Sequence, residues 1–230
     1  MRGSAFVAAL ALTAALLSGC SGPPEASRSL SFDASSDQAI VVLGTSASSA
    51  QAITWSGESL STFWQEYDPL AGRLIVSGNI LRTKVFKSPF TPFVGAGRGY
   101  LDPTVTVLEV EPGHYALTAA GFPHLMTLFV PSKDGRSQAS TYVVDPTKFV
   151  APTAQVDPRR NYAFSIAAGQ VAYIGHFEFV KRRFDDQIVS INYVQDPAAA
   201  REALKDFPGI TAGLTVLDLE QPTESARLYP

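Results

Sequence analysis

Apolar side chains in this sequence fall largely at alternate positions in short runs, and Pro, Gly and Asp separate nearly all of the runs. Alternation marks strands with one buried face, whereas an unbroken apolar run of similar length marks a strand buried on both. Residues 39–43, Ala-Ile-Val-Val-Leu, are of the second kind. Residues 44–51 follow with small side chains and read as a loop, and residues 53–55 as a short strand stopped at Ser56 and Gly57. Alternation resumes at residues 60–67, where Leu60, Thr62 and Trp64 oppose Phe63 and Tyr67. Residues 73–86 form a long extended candidate with Leu74, Val76 and Ile80 on one face. Gly78 in mid-run predicts a bulge or a close approach of backbone. Further strands are expected at residues 125–130, 139–144 and 187–194, with an edge strand at 214–219.

Two stretches read as hairpins. Residues 161–180 hold the densest pattern: Tyr162, Phe164 and Ile166 share one face before Ala168-Gly169. Val171, Tyr173, Phe177 and Phe179 share one after it, with Gly175 in the row. Gly169 supplies the positive φ that a short turn needs. In residues 104–119, Val105, Val107 and Val110 lead into Glu111-Pro112-Gly113-His114, a type II turn by its central Pro and Gly. Tyr115, Leu117 and Ala119 follow.

One helix is expected at about residues 196–207. Asp196 suits the cap and Pro197 the first helical position. Ala200, Ala203, Leu204 and Phe207 share a face, and Pro208-Gly209 ends the run. A helix this short is stable only against other structure. Many short strands and one helix predict a mainly β fold, an antiparallel β-sandwich with a short C-terminal helix, filling residues 38–219 as a single domain. Residues 220–230 read as a frayed tail.

Composition adds a location and removes one class of partner. A hydrophobic fraction of 46% suffices for one core in 230 residues, and a charged fraction of only 17% suits an extracytoplasmic β protein. A net charge of −3 without clustered cations argues against nucleic acid. Cys20 is the only cysteine, so no disulfide forms within the chain. Near the start, basic Met1-Arg2 precedes an apolar stretch at residues 5–17, broken only by Thr13. That is short of the roughly 20 residues a membrane-spanning helix needs, so residues 1–19 read as a processed signal peptide.

Leu17-Ser18-Gly19-Cys20 resembles the lipobox of bacterial lipoproteins. The resemblance implies cleavage before Cys20 and acylation of its thiol and new amino terminus, which makes a membrane its first partner. Each buried methylene contributes about 0.8 kcal/mol, so several acyl chains give lasting attachment. Ser21, where an aspartate would imply inner-membrane retention, points to the outer membrane with the domain facing the periplasm. Residues 20–37, rich in Gly, Pro, Ser and Ala, read as the acylated cysteine and a flexible tether lifting the domain off the membrane. A second resemblance covers residues 104–180. Segments 111–117 and 168–175 are similar to a recurring "PG-x-Y-x-L … AG-x-x-x-Y-I-G" pattern of bacterial lipoproteins, which implies a transthyretin-like or Ig-like β-sandwich. These are turn and core residues, and they carry over no active site.

Candidate chemistry is sparse. His114, His124 and His176 have no His or Cys partner at helical or knuckle spacing, so no metal ligand is assigned. Strand parity puts His114 and His176 on solvent-facing sides. No Gly-x-Ser-x-Gly elbow occurs, and no carboxylate pair reads as acid and base. The run Gly95-Ala96-Gly97-Arg98-Gly99-Tyr100 lacks the phosphate-binding order and a following helix. Residues 88–100 form a long glycine-rich loop that either plugs the sandwich or meets a partner, which makes Phe90, Phe93, Arg98 and Tyr100 candidate partner-binding residues. Trp55 and Trp64 read as core, and Lys181-Arg182-Arg183 with Asp185-Asp186 as a solvated turn. No catalytic or cofactor-binding residue is assigned. The expectation is a non-catalytic module that contacts another envelope protein or a cell-wall polymer. One alternative is an envelope hydrolase with His114 or His176 as base; another is a small-molecule carrier with a closed apolar cavity.

Overall fold

The computed structural model describes residues 26–49, 59–75, 77–86, 100–122, 125–131, 137–142, 161–181 and 188–219. They form two packed sheets and one short helix, a mainly β sandwich as the patterning predicts. In the first sheet β1 (Ala39–Ser49) runs antiparallel to β5 (Tyr100–Val110) and parallel to β10 (Val171–Lys181). The far edge of β10 is shared by β12 (Leu214–Val216), parallel, and β11 (Ile188–Val194), antiparallel. At the centre of the second sheet β2 (Ser59–Asp68) pairs with β6 (Gly113–Phe122). The other edge of β2 takes β3 (Arg73–Leu74) and β4 (Ile80–Phe86). That of β6 takes β9 (Ala163–Ile166) and β7 (Leu125–Pro131), and β8 (Ser137–Tyr142) follows on β7.

The main core lies between the sheets. Val41, Leu43, Leu108, Ile174, Phe177 and Phe179 meet Leu60, Trp64, Leu81, Val85, Tyr115 and Leu117 there. The first sheet is also covered outside. Ile40, Val42, Val107, Val171 and Tyr173 lie beneath Ala26, Phe32 and Ala200, with Leu204 and Phe207 packed alongside. This explains the unbroken apolar run at the start of β1: both of its faces are buried. Helix α1 (Pro197–Leu204) belongs to that outer layer, and Asp196 caps it by accepting from the Ala199 N–H at 3.2 Å. β7, β8, β11 and β12 stand where the alternation predicts strands.

Neither expected hairpin forms. β9 pairs with β6 while β10 pairs with β1, and β5 pairs with β1 while β6 pairs with β2. Residues 167–170 and 111–112 are therefore corners that carry the chain from one sheet to the other. Alternation tells which residues share a face but not which strand lies alongside. Gly169 does take a positive φ of 71°, and a Cβ there would come 2.2 Å from the Ala34 carbonyl oxygen. Gly113 instead opens β6 opposite Ile166, outside the left-handed region, so the type II turn is not made.

Three further expectations are corrected. Residues 44–49 are not a loop but the second half of β1, and Gly44 leaves room for the His176 ring of β10 to lie over it. Residues 73–86 split into β3 and β4. The interruption sits against Glu66, whose N–H donates to Asn79 and whose carbonyl accepts from Ile75. Gly78 makes the close approach expected of it, since a Cβ would lie 2.9 Å from Glu66 Cβ. Residues 26–37, assigned by composition to the tether, are part of the fold. The Ala26 N–H donates to Val107, the Phe32 N–H to Gly209, and the Thr211 N–H to Phe32. Phe32 is 2% exposed. A single aromatic in a stretch of small residues fills the space between the first sheet and the C-terminal segment, and average composition conceals it.

Candidate functional site

The site begins with an extra residue in β10. Tyr173 lies opposite Val42 and His176 opposite Gly44, so three steps of β10 match two of β1. Gly175 absorbs the surplus at φ 106°, with its α-carbon against the Tyr193 ring. Such a bulge reverses which face the following side chains take. Val171 and Tyr173, before it, point outward beneath the helix layer. Phe177 and Phe179, after it, point into the main core. The four residues read above as one row thus occupy two faces.

The same reversal turns His176 outward over β1. Its Nδ1 edge lies above Gly44, where a Cβ would come within 2.3 Å of that nitrogen. Its Nε2 meets Ser46 Oγ at 2.7 Å. On the same face Glu178 accepts from Asn192 Nδ2 at 2.9 Å, and Val194 is exposed beside His176 in the register. The outer face of the first sheet is therefore apolar under α1 and polar beyond Gly44.

Burial lowers the His176 pKa below the ordinary imidazole value, against a weaker opposite pull from Glu178 and Asp196. The folded state thus binds its proton less readily than the unfolded chain. Stability from this group is complete above the unfolded pKa of about 6.5 and is lost as pH falls toward the folded value. We expect urea midpoints of the wild type to fall across that interval, and His176→Gln to remove this part of the slope. A His176→Gln profile parallel to the wild type would refute the assignment.

A serine hydroxyl against a neutral imidazole is half of a nucleophile and base pair. The full arrangement needs an acceptor that orients the other ring nitrogen. Here that edge abuts the Gly44 α-carbon, and Ser46 is only 6% exposed. The pair acts as a polar tie between β1 and β10. Among the described residues no group of three His, Cys, Asp or Glu side chains stands placed to hold a metal ion.

His114 lies on β6, on the outer face of the second sheet. Its Nδ1 meets Ser165 Oγ at 2.5 Å and its ring stands edge-on to Tyr67, centroids 5.9 Å apart. Both histidines expected to face solvent are thus only partly exposed and bonded to serines. They occupy opposite outer faces of the sandwich, so the two cannot share one site. Trp64 is core, as expected. Tyr100 opens β5 opposite Ser48. Phe90, Phe93 and Arg98, together with Cys20, Trp55, His124 and the charged run at 182–186, lie outside the described residues.

Ser46, Glu178 and Asn192 were not singled out from sequence. The signal for Ser46 was the alternation of Gly44, Ser46 and Ser48 with Thr45 and Ala47, which continues the strand period past its apolar part. The chain has no significant match among protein-family models, curated proteins or solved structures.

Proposed function

We propose that this chain is a membrane-anchored envelope lipoprotein whose β-sandwich is a non-catalytic binding or structural module for another envelope protein or a cell-wall polymer. The observation that carries the reading is the order Leu17-Ser18-Gly19-Cys20 directly after the apolar stretch at residues 5–17, with no other cysteine in the chain. Ser21 favours the outer membrane. A sandwich is a rigid scaffold for surface contacts. The non-catalytic reading is supported by the blocked Nδ1 edge of His176 and by the placement of His114 on the opposite face. Among the described residues no helix is long and apolar enough to cross a membrane.

The test is fractionation of cells that express the wild type and Cys20→Ser. Wild type should sediment with membranes, and most of the variant should move to the soluble extract or accumulate unprocessed. Identical sedimentation of a processed variant would overturn the anchor.

A further inference from the structure

We propose that the layer made by residues 26–33 and α1 faces the lipid headgroups, held close to the bilayer by a leash of only six residues. This rests on the reading of Cys20 as the acylated residue. Ala26 is fixed by its N–H to the Val107 carbonyl at 3.0 Å, and from there to Phe32 the chain is bonded into the fold. Only positions 20 to 26 therefore separate the anchor from the body. A chain spans at most about 3.3–3.6 Å per residue, so the leash reaches roughly 20 Å. A free tether running to residue 37 would reach roughly 60 Å.

The point of attachment sets the orientation. Residues 26–32 and α1 lie together on the outside of the first sheet. The second sheet stands a further ~10 Å away, with its own outer face turned from the leash. The face turned to the bilayer carries exposed apolar side chains and charges of both signs. Val194 and Val216, both exposed, lie on this side at the margin of the helix layer, in register with His176 and Tyr173. Around them the exposed charges make no basic patch: Arg28, Arg201 and Lys205 stand against Asp33, Asp196, Glu202, Asp206 and Asp218. Arg28 and Asp206 stand 3.7 Å apart, and Lys205 and Glu202 2.5 Å apart. A layer without excess positive charge is held near the membrane by its leash rather than by attraction to anionic lipid, so salt should not release it.

The experiment uses the full acylated protein in liposomes that carry a headgroup-attached quencher. Acylation consumes the Cys20 thiol, so Arg201→Cys and Lys84→Cys each take one maleimide dye. Arg201 lies on α1 and Lys84 on β4, paired with Ser61 on the second sheet. The dye at position 201 should be quenched several-fold more than the dye at 84, at low and high salt alike. A long Gly-Ser spacer inserted after Ser21 should abolish the difference. Equal quenching without the spacer, or stronger quenching at 84, overturns the orientation while leaving the anchor standing. A membrane-purified wild type that itself takes the dye shows Cys20 to be free, and overturns the acylation reading and this proposal with it.

Discussion

Trp64→Ala should lower stability by about 3–5 kcal/mol, the range for deleting a large buried aromatic. Trp64 is 1% exposed and lies between the sheets. Its indole stands edge-on to Phe164 at 5.5 Å and to Phe177 at 5.1 Å. Phe164 is on β9 and Phe177 on β10, so one side chain joins three strands across both sheets. Each such ring pair adds about 0.5–1.5 kcal/mol beyond buried area. Trp64→Phe should lose much less, roughly 1 kcal/mol. Among the described residues the indole N–H finds no hydrogen-bond partner, and a buried donor left unpaired costs about 1–3 kcal/mol. Removing that donor offsets part of the cavity. Urea denaturation of the two variants checks the ordering. A Trp64→Ala protein within ~1 kcal/mol of wild type would mean that the sheets do not close over this ring.

Phe32→Ala should cost about 3 kcal/mol, the low end of the range for a buried phenylalanine. In a solvated tether the same change would fall within about 0.5 kcal/mol of zero. The side chain packs in the outer layer with Ala26 and Ala200, in one cluster with Ile40 and Val42 of β1. Its backbone donates to Gly209 and accepts from Thr211. The neighbouring Gly209 is held as tightly, since a Cβ there would come 2.0 Å from the Leu30 carbonyl oxygen. Chemical denaturation gives the energy, and hydrogen exchange at the Phe32 and Thr211 amides shows where protection is lost. Unchanged stability and exchange would return residues 26–37 to the tether.

What was legible in the sequence was local. The period of two in residues 60–67 found β2, the unbroken run at 39–43 found the start of β1, and Asp196-Pro197 found the helix cap. Each is decided by side chains within a few residues of one another. Partner choice is not. The turns at 111–112 and 167–170 look like hairpin turns in isolation, and only the competition of β1 and β6 for the flanking strands makes them corners. The reversal at Gly175 was invisible for a related reason. A glycine in an alternating run fits either face, and the surplus residue appears only once β1 lies alongside. The histidines could be seen, but their partners could not: Ser46 is 130 positions from His176, and Ser165 is 51 from His114.

The parallel pairing of β1 with β10 also has a consequence in time. The second strand of this pair is synthesised long after the first, and the bond from Thr211 to Phe32 joins positions 179 apart. Closing loops of that length is entropically costly before any contact rewards it, and folds dominated by such contacts form slowly. One edge of β1 can be met by β5 well before the chain ends, but its other edge waits for β10. The architecture thus postpones its own completion until nearly all of the polypeptide has been made.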